Sequence, residues 1–230
     1  DMLGAKNAAA MDLGAGCTGF VYGLETAKGF ISSGAAKNVL LIGSEILTRI
    51  VDWTDRGTCV LFGDGAGAAL ITPSANTAGI MDSVLKSDGS GASYLAREVG
   101  GTRIPFKAGQ TAARDLLIKM EGQAVYNFAV PAIIDVINQL LNRSHLTLDD
   151  ITYIVPHQAN QRIIEAAAKR GKIPYEKFFL NIEEYANTSA ATIPIALNDM
   201  YEQNKVKPGD LLITVGFGAG LTFGGNLLMW

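Results

Sequence analysis

The chain has 230 residues, 48% of them hydrophobic and 18% charged, with 26 glycines and a formal net charge of −3. That charge, with no basic stripe carrying interleaved aromatics, argues against a general nucleic-acid binder. No apolar run approaches the roughly 18 residues of a membrane span and no charged segment leads into a signal-like apolar one, so a globular cytoplasmic protein is expected.

In chain order, residues 7–13 read as a strand, 17–33 as a helix stopping at Gly34, 38–43 as a strand and 58–72 as strand material broken by "GDGAG". That glycine-rich piece lacks the Gly-Lys-Ser/Thr of a P-loop and is expected to be a tight bend between strands. Residues 73–113, rich in Gly, Ser and Thr, read as surface connection. A helix is predicted over 115–142, with Pro131 as a kink or restart, then a strand at 151–156, a helix at 160–170, a short strand at 177–182, a helix at 187–203, and strands at 210–217 and 221–230. The alternation is that of an α/β protein with largely buried strands.

Two stretches echo each other. "MDLGAGCTGFVYGLETAKGFISSGAAKNVLLIGSE" and "LNIEEYANTSAATIPIALNDMYEQNKVKPGDLLITVGFG" each run strand, small-residue turn, helix, polar break, strand. Each then enters a glycine-rich turn feeding another strand, which implies a duplicated unit. The division expected is 1–75 for the remainder of an N-terminal half, 76–114 for a connection and 115–230 for a C-terminal half. Cys17 and Asn187 would then occupy equivalent helix starts and meet at the centre. The chain enters apolar sequence directly after Asp1, so further polypeptide is expected upstream, and the segment alone is expected to be incomplete.

Within "GAGCTG" at 14–19 the spacing G-x-G-x-x-G is also that of a dinucleotide-binding turn, and Glu45, 26 residues beyond Gly19, could serve as its ribose ligand. This alternative, an oxidoreductase, leaves "PHQAN" at 156–160 and "NTSAA" at 187–191 without a role. Cys17 sits instead where a helix end would favour a thiolate. The other cysteine, Cys59, reads as inert strand filler, and the two form no metal-site spacing. Of the two histidines, His145 reads as a solvated loop residue, while His157 ends an apolar strand just before a helix, where α/β folds place ligands.

"GAGCTGF", "TDRGT", "LFGDGAGAA", "VPHQANQRII", "NTSAA" and "GFGAGLTFG" together resemble the 3-oxoacyl-[acyl-carrier-protein] synthase III family over essentially the whole chain. The resemblance implies a thiolase-like α/β fold of two pseudo-symmetric halves, the first incomplete here. It implies an acyltransferase in which Cys17, His157 and Asn187 are catalytic, with the backbone N–H groups of Cys17 and Ala219 as oxyanion hole. Acyl-CoA, expected to be acetyl-CoA, would acylate Cys17, and malonyl-acyl carrier protein would then condense with loss of carbon dioxide. The resemblance also points to Arg56, Gly122, Ala159 and Asn160 for CoA, to Arg162, Lys169 and Arg170 for an acidic carrier protein, to a homodimer, and to no metal or separate cofactor. Ala186 and Ala219 stand where the family commonly has glycine. A catalytically silent fragment or partner of the same fold is the alternative.

Overall fold

The computed structural model describes residues 2–75 and 78–230, so the expected junction at 75/76 abuts residues outside this description. Small residues bring the chain through a 3-10 turn, Gly16–Thr18, into α1 (Gly19–Ser32). Phe20, Val21, Leu24 and Ala27 recur on one face of α1 and are buried, the spacing of an amphipathic helix. The helix stops at Gly34, whose φ of +74° costs glycine little. β1 (Val39–Ile46) follows and pairs antiparallel with β2 (Asp64–Ile71).

β3 (Gly79–Ser87) leads to a small ribbon of β4 (Leu95–Ala96) and β5 (Lys119–Met120), then to α2 (Gly122–Ser144). β6 (Tyr153–Pro156), α3 (Gln161–Gly171), the short α4 (Ile182–Tyr185), α5 (Thr192–Glu202), β7 (Leu211–Gly218) and β8 (Thr222–Met229) complete the order. Their sheet runs β3-β8-β7-β6, antiparallel except for the β6–β7 pair.

Side chains alternate across that sheet. Ile213, Val215, Phe217 and Leu227 enter a core with α2 and α3, while Leu212 and Leu228 meet α1 and α5. The inner face of β1–β2, with Leu41, Ala69 and Ile71, closes on α1 and α5 from the other side. The layers are therefore α2/α3, the four-stranded sheet, α1/α5, and the β1–β2 pair. Leu40, Ile42, Ile46 and Leu70 lie exposed on the outer face of that pair. α2 is long and apolar enough to cross a bilayer, yet it buries Ala129, Val130, Ile133, Val136, Ile137 and Leu140 in the protein core.

The repeat is visible: a 3-10 turn, a helix and an antiparallel strand pair occur as Gly16–Thr18, α1, β1, β2 and again as Ser189–Ala191, α5, β7, β8. The first residues of the two turns share a positive φ, +52° at Gly16 and +50° at Ser189. In this register Cys17 matches Ala190, and Asn187 falls before the second turn.

Several elements differ from the sequence reading. Residues 8–15 form no strand, because no described strand offers a ladder to residues 7–13. Residues 64–67 belong to β2 and are no bend. Their glycines serve packing: a Cβ on Gly67 would lie 2.8 Å from Pro194 Cβ, and one on Gly65 3.0 Å from Ile195 Cδ1. The supposed connection contains β3, whose hydrophobic period is masked by Asp82 and Lys86. Arg143 and Asp135 of α2 pair with these at 2.8 and 2.9 Å.

The long helix begins at Gly122, not 115, and runs unbroken through Pro131. Its predecessor residues make a 3-10 turn and β5. The strand at 177–182 reduces to one bridge between Phe178 and Ile154. Cys59 lies in a turn, its N–H bonded to Asp55 O at 3.0 Å.

Gly67→Ala should therefore destabilise by about 1–3 kcal/mol through overpacking against Pro194, lowering the midpoint by roughly 2–10 °C. Gly29→Ala, in α1 with nothing within 4 Å of the added methyl, should instead raise stability by about 0.5–1 kcal/mol. Thermal melts of the two variants check the contrast.

Candidate active site

His157 leaves the end of β6 with its N–H bonded to Val215 O at 2.7 Å, which keeps it registered to β7. α3 then begins under an Asn160 cap, with Oδ1 accepting from Arg162 N at 2.9 Å. The imidazole is 1% exposed, lies edge-on to Phe217 at 5.4 Å, and has Nδ1 2.7 Å from Thr192 Oγ1. Burial pushes its pKa down to about 3, with the Ser189 carbonyl pulling weakly upward. The ring is neutral at physiological pH.

Asn187 is fixed by its backbone: its N–H donates to Leu61 O and its C=O accepts from Gly63 N, both at 2.9 Å. Its Oδ1 accepts from Ser189 N at 2.9 Å, so the amide Nδ2 remains as a donor. Ala186, just before it, has φ +57° and ψ −161°, a region that normally requires glycine and costs other residues about 1–3 kcal/mol.

Cys17 occupies the middle of the first 3-10 turn and packs on the β7–β8 turn. A Cβ on Gly218 would stand 2.7 Å from Cys17 Cβ and 3.0 Å from Sγ. Thr222 Oγ1 donates to Ala219 O at 2.9 Å and meets Thr18 Oγ1 at 2.7 Å, joining the two turns. Ala219 has no positive φ, so the alanine is unstrained in this turn.

The thiol itself departs from expectation. Burial pushes Cys17 up to about 11, and Glu45 adds to the rise. Hydrogen bonds from Ser189 Oγ and from the N–H groups of Ala219 and Cys17 pull the other way. The helix-end argument names genuine donors, but desolvation outweighs them. Those same two N–H groups are the expected oxyanion donors, and both adjoin the sulfur.

Cys17, His157 and Asn187 line one cavity of about 460 Å³. Gly122, Ala159, Asn160 and Arg162 line it as well. Arg56 does not: it is exposed beside the lining residue Gly57, and Asp55 turns back onto Gly57 N and Thr58 Oγ1. Ala219 is likewise represented by its neighbour Gly218. Lys169 and Arg170 lie exposed at the far end of α3, Lys169 beside a separate cleft with Lys172. Glu165 is bonded to Gln161 Nε2 at 2.9 Å.

His145 is an exposed helix cap with φ +56°. The walls missed by sequence reasoning are apolar: Phe62, Leu95, Met120 and Phe217. Phe217, between glycines in "GFG", offered the one local signal. The G-x-G-x-x-G spacing opens no parallel βαβ unit among the described residues, since β1 pairs antiparallel with β2.

Family models described as 3-oxoacyl-[acyl-carrier-protein (ACP)] synthase III and its C-terminal part match residues 11–89 and 141–230. The beta-ketoacyl-[acyl-carrier-protein] synthase III of Clostridium novyi is 48% identical over all of this chain and 70% of its own length. That of Caldanaerobacter subterraneus is 48% identical over 99% of this chain and 69% of its own. The crystal structure of 3-oxoacyl-[acyl-carrier-protein] synthase III from Aquifex aeolicus superposes with a TM-score of 0.89 at 42% identity, over 100% of this chain and 70% of that one. The fold is therefore thiolase-like and the class that of condensing acyltransferases. The chain belongs to the 3-oxoacyl-[acyl-carrier-protein] synthase III family.

With its pKa near 11, Cys17 has only about one thiolate in 10⁴ at pH 7. Its alkylation by iodoacetamide, followed on the Cys17 peptide by mass spectrometry, should rise about tenfold per pH unit from 7 to 10. No inflection from His157 should appear between about pH 5 and 8. A plateau beginning near pH 8 would contradict the burial argument.

Proposed function

We propose that this chain carries the site that starts fatty-acid synthesis, acylating Cys17 from an acyl-CoA and condensing the acyl group with malonyl-acyl carrier protein. The observation that carries this reading is the convergence of Cys17, His157 and Asn187, from three separate segments, on one cavity.

The Cys17 sulfur attacks the thioester carbonyl, and the N–H groups of Cys17 and Ala219 stabilise the oxyanion. The C–S bond to CoA breaks, and the thiol proton leaves with the CoA sulfur. Malonyl-acyl carrier protein then binds with its thioester carbonyl facing His157 Nε2 and Asn187 Nδ2. The C–C bond to carbon dioxide breaks and its electron pair becomes an enolate held by these donors. The enolate carbon attacks the acyl-Cys17 carbonyl, the C–S bond breaks with its electron pair going to sulfur, the thiolate takes a proton from water, and 3-oxoacyl-carrier protein departs. No proton is removed in the decarboxylation, so a neutral imidazole and an amide suit it better than a base.

Gly122, Ala159 and Asn160 line the path for CoA, with Arg56 at the rim meeting its phosphates. Acetyl-CoA is the expected primer. Carrier-protein docking is assigned to Arg162, Lys169 and Arg170, whose positive charges share α3. A cytoplasmic homodimer is part of the same proposal; both cysteines are free thiols, as a reducing compartment would keep them.

Cys17→Ser should abolish acyl-enzyme, while His157→Ala and Asn187→Ala should still acylate yet lose malonyl decarboxylation by about 10² or more. Intact-mass and carbon-dioxide-release assays separate the half-reactions; normal condensation by Cys17→Ser would sink the assignment.

Because Arg162 lines the cavity mouth, Lys169→Glu and Arg170→Glu give the cleaner docking test. They should raise KM for malonyl-carrier protein and leave self-acylation by acyl-CoA unchanged. Equal loss in both half-reactions would return these residues to an ordinary solvated helix face.

A further inference from the structure

His157 has a partner that the reaction scheme does not use. Thr192, the first residue of α5, is 2% exposed and presents Oγ1 to His157 Nδ1 at 2.7 Å. We propose that Thr192 is a positioning residue that donates its hydroxyl proton to Nδ1 and so holds His157 as the Nε2–H tautomer, with that N–H facing the cavity. This deepens the reading above, since it rests on His157 acting as a hydrogen-bond donor.

A threonine hydroxyl has one proton to give. Two acceptors lie within reach of Oγ1: Nδ1 at 2.7 Å and Ser189 O at 3.0 Å. Ser189 O already accepts the backbone N–H of Thr192 where the 3-10 turn passes into α5. It is satisfied without the hydroxyl. Nδ1 faces the interior, where Thr192 is its one hydrogen-bonding side chain among the described residues and the Ser189 carbonyl also lies against the ring. The shorter contact and the greater need both direct the proton to Nδ1.

The opposite arrangement sends the hydroxyl to Ser189 O and the Nδ1 proton to Oγ1. Nε2 would then present a lone pair to the cavity, facing the lone pairs of a thioester carbonyl. That arrangement repels the enolate oxygen it should stabilise. The ring has no third option, because its burial keeps it from carrying both protons. Orientation is fixed as well as protonation. Thr192 Oγ1 meets the ring at Nδ1 and Phe217 meets it at an interplanar angle of 67°, so the imidazole is held from two sides.

The sequence makes a direct test practicable, because the chain has only two histidines and His145 is exposed at a helix end. In ¹⁵N-histidine-labelled full chain, two- and three-bond ¹⁵N–¹H correlations should show His157 with a pyridine-like Nδ1 and a pyrrole-like Nε2. Thr192→Ser should keep that pattern and stay within a few-fold of wild-type decarboxylation. Thr192→Val, matched in shape but lacking the hydroxyl, should move the proton toward Nδ1 and slow malonyl decarboxylation about tenfold or more, while Cys17 acylation stays within about twofold.

A pyrrole-like Nδ1 in the wild-type protein would overturn the inference, as would a Thr192→Val protein unchanged in both spectrum and decarboxylation. If Thr192→Val fails to fold, the wild-type spectrum and Thr192→Ser still decide. Full decarboxylation by His157→Ala would instead defeat the functional reading and leave the tautomer measurement standing.

Discussion

At the centre of the molecule, the turn bearing Cys17 and the turn between β7 and β8 approach closely enough to exclude a methyl group. A Cβ on Gly218 would meet Cys17 Cβ at 2.7 Å, one on Gly216 would meet Thr18 Cα at 3.3 Å, and one on Gly43 would meet Ala190 O at 2.7 Å. Glycines at these positions let backbone lie against backbone. That is why two backbone N–H groups reach the sulfur alongside Ser189 Oγ, and why Thr18 and Thr222 can bridge segments 204 residues apart. Layer order follows from the same approach: α1 and α5 sit between the two sheets because both sheets offer them small residues.

Close packing also sets the electrical character of the site. Desolvation raises Cys17 and lowers His157, so the resting site holds an uncharged thiol and an uncharged ring. In the proposed mechanism, charge appears there only as bonds rearrange, and fixed donors are already aimed at it. Such donors do more in a dry cavity than in water. Asn187 illustrates the economy of the arrangement: Oδ1 is spent on Ser189 N, so the amide can be oriented only one way.

The three residues that meet at the cavity were legible because they sit in unusual local sequence: a cysteine among glycines, a histidine after a strand-ending proline, an asparagine before a run of small residues. β7 and β8 were legible as long apolar runs. β3 was not, since Asp82 and Lys86 occupy inward positions and are neutralised by α2 residues more than forty positions away in sequence. The glycines of β2 misled in the opposite sense, because a strand that must admit α5 looks locally like a turn. The thiol's protonation was misjudged for a related reason: a helix end can be read from neighbours, but burial is a property of the assembled halves. The apolar cavity walls left little trace, as Phe62, Leu95 and Met120 carry no pattern that separates lining from core.

The strand order has a temporal consequence. β8 lies between β3 and β7, so the last of these four strands to be synthesised is central in their sheet. β3 emerges from the ribosome about 140 residues before the partner that completes its hydrogen bonds, and α2 emerges long before β7 and β8 cover its apolar face. A chain made from its N-terminus therefore carries a membrane-like helix and an unpaired strand until translation of this region is nearly done. Loop-closure entropy makes such distant pairing slow. During that interval the nascent chain exposes its most adhesive surfaces, the apolar face of α2 and the edge of β3, which only the arrival of β7 and β8 removes from water.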